Sequence, residues 1–252
     1  MRLLLLTFYT ILFSCSPKQK INKLSYKIDS ELQNDTNLSF GSQNPETFDS
    51  EILETFVDSL NIGVKGKCKI ELIRHRIYND MFVIVKFYTK GRIPAKHSDV
   101  WMNTNLYVYQ INTFGELFPS ISDFNNDNFN DITFISGEAA RGANEIRRLL
   151  IYDDDKSELI SIVNSEDYPN MLYNNELDCI DAFLVYGGFS TVFLKIHGDM
   201  LKEFASVDIF DGLKVTIYDK NGIGEVIYND TTFGNSDIRF KNFRPLKEYG
   251  SD

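Results

Sequence analysis

Nine residues from Asp123 to Asp131, DFNNDNFND, bring three carboxylates and a run of asparagine amides together, relieved only by Phe124 and Phe129. Counted from Asp123, side-chain oxygens fall at positions 1, 3, 5 and 9, which are Asp123, Asn125, Asp127 and Asp131. Phe129, at position 7, can offer its main-chain carbonyl. Calcium takes roughly six to eight hard oxygen ligands, and alternate positions of a tight loop turn inward to supply them. Position 6 of such a loop needs left-handed backbone; Asn128 stands there, and Asn tolerates that conformation best after glycine. Without a cation the carboxylates would repel one another. The two phenylalanines are expected to anchor the loop to a core. The competing reading is a solvated turn that happens to be rich in Asp and Asn.

The remaining reactive residues form no catalytic set. His75, His97 and His197 lie apart, and none belongs to a zinc-type H-E-x-x-H pair. There is no G-x-S-x-G elbow and no P-loop. His75 alternates with apolar neighbours, as an ordinary sheet residue would, and Cys179 lies in an apolar strand pattern that suits a core position. Asp153, Asp154 and Asp155 read as a hairpin turn, although two carboxylates from different loops could form a glycosidase pair. The runner-up function is therefore a periplasmic hydrolase using loop carboxylates. NSEDYPNMLYN, from Asn164 to Asn174, is an amphipathic loop whose Tyr168 and Tyr173 are candidate partner contacts.

The location of this chemistry is set by the N-terminus. Arg2 precedes an apolar run from Leu3 to Phe13, which is too short for a span of roughly 20 residues and has the proportions of a secretory signal. The run ends in LFSC, which resembles a bacterial lipobox with Cys15 as the acylated first mature residue. Residues 1–14 are then a signal peptide, and the polar stretch 15–44 a flexible tether. These features imply a lipid-anchored protein of the bacterial cell envelope, with the membrane as one partner.

The net charge of −10 argues against nucleic acid as a partner. Hydrophobic residues at 43% and aromatics at 13% suffice for a packed core in residues 45–252. Beyond Cys15 only Cys68 and Cys179 remain, and an exported chain with two such cysteines suggests one disulfide.

The elements that must position the loop are mostly strands. Asn44 to Gly63, NPETFDSEILETFVDSLNIG, predicts one N-terminal helix: Asn44 caps, Pro45 suits the first turn, and Phe48, Ile52, Phe56 and Leu60 recur every four residues. After Gly66 the period shifts to two. About ten short runs rich in β-branched and aromatic residues alternate with turn signals. The fold class expected is mainly β, an antiparallel meander of propeller-like or sandwich form with one N-terminal helix. IYDDDKSEL and IYDKNGIGE look alike and both read as strand, acidic turn, strand.

DFNNDNFND followed by the strand ITFIS is similar to the calcium loop of FG-GAP and VCBS-type repeats. The downstream NEIRRLLIYDDDKSELISI resembles the next hairpin of single-loop relatives among exported bacterial lipoproteins. That resemblance implies a calcium-stabilised binding protein, and some such relatives inhibit peptidoglycan hydrolases. An acidic domain beside the wall would suit a basic lysozyme-like partner.

Overall fold

Alternation every second residue builds nearly all of the regular structure. The computed structural model describes residues 50–93, 98–234 and 236–250. Cys15, the signal segment, the tether, Phe48 and His97 lie outside the described residues.

Three antiparallel sheets follow one another in chain order. The first comprises β1 (Ser50–Asp58), β2 (Cys68–Ile77), β3 (Asp80–Ile93) and β4 (Ser98–Ile111). The second comprises β5 (Ser120–Ser122), β6 (Asp131–Ala139), β7 (Asn144–Asp153) and β8 (Glu158–Ser161). The third, six-stranded, runs from β9 (Leu172–Asn174) through β10 (Cys179–Val185), β11 (Phe189–His197), β12 (Met200–Ile209) and β13 (Leu213–Tyr218) to β14 (Gly224–Asp230). A hairpin of β15 (Phe240–Phe243) and β16 (Leu246–Glu248) follows. Every strand pairs with its sequence neighbour, so the mainly β, antiparallel expectation holds.

The middle sheet is covered on both faces. Leu150 and Tyr152 of β7 join Ile70, Leu72, Val83 and Val85 of the first sheet in one core cluster. Their alternate neighbours Leu149 and Ile151 join Ile180, Ala182, Val192 and Leu194 of the third sheet in another. This explains why β7 reads as the nearly continuous apolar run LLIY: a strand buried on both sides has no polar face to alternate with. Each such side chain, fully buried, contributes about 1.5–3 kcal/mol. A third cluster packs Phe193, Val207 and Val215 of the third sheet against Phe240 of β15.

The expected helix is not formed in the described part of its span; residues 50–58 are strand β1, paired antiparallel with β2. Of the described residues assigned to its apolar face, Ile52 and Leu60 are 62% and 64% exposed, whereas Phe56 packs inward. A spacing of four is also an even number, so it fits a period of two as well as a helical face. The ladder shifts register between Ile52 and Glu54, which leaves Leu53 as an extra residue that packs on the core beside Phe56. Pairing with the edge of β2 outweighs the local preference, as tertiary context commonly does.

Candidate functional site

The acidic loop joins β5 to β6 and is anchored in two cores at once. Phe124 is buried in the cluster shared with the third sheet, whereas Phe129 packs on the cluster shared with the first. The Phe129 ring meets Tyr152 edge-on at 5.6 Å between centroids. Gly63 N–H donates to the Asn130 carbonyl at 2.8 Å, and Asn130 Nδ2 donates to the Asn61 carbonyl at 2.9 Å, tying the loop to the β1–β2 turn.

Asp123 organises the backbone. Its Oδ1 accepts the N–H groups of Asn125, Asn126 and Asp127 at 3.2, 2.6 and 3.3 Å, and its Oδ2 accepts that of Asn128 at 2.8 Å. Asn126 and Asn128 are left-handed, with φ of 59° and 71°, as the sequence requires at Asn128. Asp127 Oδ1 accepts the Phe129 N–H at 2.8 Å, while its Oδ2 accepts Asn125 Nδ2 at 2.8 Å. Asp131 is fully buried, and its two oxygens accept the N–H groups of Phe124 and Tyr152, each at 2.8 Å.

Two features of the loop fit a cation. Asn125 Oδ1 is buried and has no hydrogen-bond donor, an arrangement that costs about 1–3 kcal/mol unless something electropositive meets it. Burial also pushes the Asp131 carboxyl up to about 8; the Phe124 and Tyr152 amides pull the other way, and the charges of Asp127 and Asp123 add to the rise. Carboxylate oxygens that already accept one N–H retain lone pairs for a second partner. Among the described residues no three His, Cys, Asp or Glu side chains are grouped to hold a metal ion. A cation here would therefore draw on Asn125 Oδ1 and main-chain carbonyls such as that of Phe129, together with the aspartates.

No family model and no curated protein matches the chain. A solved structure described as "Structure of a Xanthomonas Type IV Secretion System related protein" is similar to it over 75% of this chain and 98% of that one, with 9% identity and a TM-score of 0.40.

Tyr168 and Tyr173 are not the exposed contacts expected of them. Both are half-buried and pack on the core between the second and third sheets. Tyr173 OH donates to Asp178 Oδ1 at 2.8 Å, and Asp178 also hydrogen-bonds Asn126, so Tyr173 supports the acidic loop from the neighbouring sheet. Tyr168 hydrogen-bonds Glu203, and burial pushes its hydroxyl up to about 12. Their loop alternates apolar and polar residues because it is packed, not because it is presented.

The expected Cys68–Cys179 disulfide is likewise not formed; both are free, buried thiols. Cys68 belongs to the core of the first two sheets and Cys179 to that of the third sheet and the C-terminal hairpin, so the middle sheet separates them. His75 Nε2 lies 2.7 Å from Ser50 Oγ, and among the described residues no carboxylate hydrogen-bonds the other ring nitrogen. Burial lowers its affinity for a proton.

Phe114 and Phe118, on the loop before β5, are 85% and 59% exposed. Arg74, itself buried, donates to the carbonyls of Phe114 (3.1 Å) and Gly115, and Arg147 donates to that of Phe118. The backbone is held while both rings face solvent. The signal in the sequence was NTFGELFPS, two phenylalanines in a turn-forming segment outside any alternating pattern.

Proposed function

We propose that the chain is a non-enzymatic binding protein of the bacterial cell envelope, anchored through an acylated Cys15 and stabilised by calcium in the Asp123–Asp131 loop. The observation that carries this reading is the buried, donorless Asn125 Oδ1, in the same loop as the buried Asp131 carboxyl. When bound, calcium would supply the positive charge that Asp123, Asn125, Asp127, Asp131 and the Phe129 carbonyl face. The loop is tied to all three sheets, through Asn130, Phe124 and Asp178, so a cation there would fix the scaffold and leave the binding surface elsewhere.

The binding surface is the loop of Phe114 and Phe118, replacing the tyrosines in that role. Rings held in place before contact lose little freedom on binding, and aromatic anchors dominate interface energies. The partner is a basic lysozyme-like peptidoglycan hydrolase, whose charge complements a chain of net charge −10. We read the three stacked meanders as a propeller-like arc rather than a two-sheet sandwich, because the middle sheet packs on a neighbour at each face.

The test is titration of the purified chain, with and without calcium, against a panel of basic lysozyme-like enzymes. Inhibition or binding at micromolar concentration, weakened by Phe114→Ser and retained by Tyr168→Phe, is the expected result. No binding to any member rejects the inhibitor role, and a melting temperature indifferent to EDTA rejects the calcium role separately.

A further inference from the structure

One face of the first sheet carries the opposite charge from the chain as a whole. β2 ends at Cys68, opposite Thr89, but β3 and β4 continue: Lys90 to Ile93 pair with Ser98 to Trp101 as a two-stranded ribbon. Alternation turns Lys69, Tyr88, Lys90, Arg92 and Trp101 to the solvent face, away from Ile70, Val85 and Phe87 in the core. The ring contacts agree with this. Lys69 Nζ lies 4.1 Å from the Tyr88 ring centroid and 5.9 Å from that of Trp101, and Lys90 Nζ lies 5.3 Å from Trp101 on another approach. Trp101 is the only tryptophan in the chain and is 36% exposed. On this face the ladders place four cations, Lys69, Lys86, Lys90 and Arg92, against three carboxylates, Glu71, Asp99 and, at the far end, Asp80, whereas the whole chain has a net charge of −10.

We propose that this face docks on an anionic lipid surface, with Trp101 at headgroup depth and the exposed Lys90 and Arg92 against the phosphates, Lys69 being held by Glu71 at 2.7 Å. Tryptophan and tyrosine settle at membrane–water interfaces because their rings are apolar at one end and polar at the other. Basic residues beside them are drawn to anionic headgroups over a Debye length or less. The proposal requires neither acylation of Cys15 nor calcium.

The single tryptophan makes the face its own reporter. The full chain carrying Cys15→Ala is titrated with phosphatidylcholine vesicles containing none or a large fraction of phosphatidylglycerol, following Trp101 emission and its quenching by acrylamide. Emission should move to shorter wavelength and quenching should fall on phosphatidylglycerol vesicles only, and molar salt should reverse both. Lys90→Gln, at an exposed site, should weaken partitioning roughly fivefold. Residues 3–13 are common to all variants and cannot produce a difference between them. Equal emission changes on both vesicle types, or none on either, overturn the proposal. So does a change produced by a duplex oligonucleotide or polyglutamate but not by anionic vesicles.

Discussion

Arg239 Nε donates to Asp181 Oδ1 over 2.8 Å, joining the segment before the C-terminal hairpin to a carboxylate that strand β10 buries completely. The same carboxylate accepts Asn174 Nδ2 at 2.9 Å and the Tyr249 hydroxyl at 2.5 Å. A buried anion satisfied from three sides is stable, but it becomes costly when its cation is removed. Arg239→Ala should lower unfolding free energy by about 3–5 kcal/mol, while Arg239→Lys should recover only part of the loss. Urea denaturation measures this. A loss no larger than that of an exposed substitution such as Lys202→Ala would show that the pair does not hold the hairpin.

The acidic loop predicts a dependence on calcium. With a Kd of about 0.1 mM, as in the tighter extracellular modules, about 1 mM calcium stabilises the fold by roughly 1.4 kcal/mol. Thermal melting with calcium and with EDTA should therefore differ in the unmodified chain and coincide in Asp127→Ala. Asn125→Ala should diminish the calcium response but change the EDTA melt little, because it gives up only the exposed Nδ2 bond to Asp127 and removes a buried Oδ1 that bonds nothing within the protein.

The turn after β1 predicts an acid-limb effect. Asp58 Oδ1 accepts the N–H groups of Leu60, Asn61 and Ile62 at 3.1, 2.7 and 3.0 Å. Partial burial raises its carboxyl, but these amides, foremost those of Asn61 and Ile62, outweigh it, so the folded value lies below the ordinary 3.8. A carboxylate depressed in the folded state stabilises above its unfolded value and ceases to do so as pH falls through its folded one. Asp58→Ala should thus cost about 1 kcal/mol at neutral pH, and its deficit against the unmodified chain should shrink in acid. A deficit independent of pH would show that packing, not the charge, is lost.

The two core thiols should be present but slow. Burial pushes Cys179 up to about 12 and raises Cys68 as well, so little thiolate exists at neutral pH. In Cys15→Ala protein, Ellman's reagent should react slowly in the native state and find two thiols after unfolding without reductant. Finding none would restore the disulfide.

Much of the sheet order was legible because alternation is written residue by residue. The alternating runs after Gly66 do form strands, and the two acidic stretches at Asp153 and Asp219 are both hairpin turns. The left-handed Asn128 was legible because few residue types accept that conformation. The β1 strand was misread because a four-residue spacing fits both periods and the bulge at Leu53 is visible only in its pairing with β2. Strand β12 was missed for a related reason: its ladder slips between Phe193 and Leu194 of its partner, so Phe204 stands out of phase. Burial of Tyr168 and Tyr173, exposure of Phe114, and separation of Cys68 from Cys179 depend on which sheet meets which, and no local pattern encodes that.

Strand β7 is a party wall between two cores, since consecutive side chains from Leu149 to Tyr152 enter alternate ones. Neither core can lose that wall alone. Its amides should exchange with solvent only through global unfolding, and cavities cut from opposite sides, such as Leu149→Ala and Leu150→Ala, should slow or weaken one and the same cooperative transition. The chain is long enough for separate subdomains to melt independently, yet this shared strand denies it that freedom.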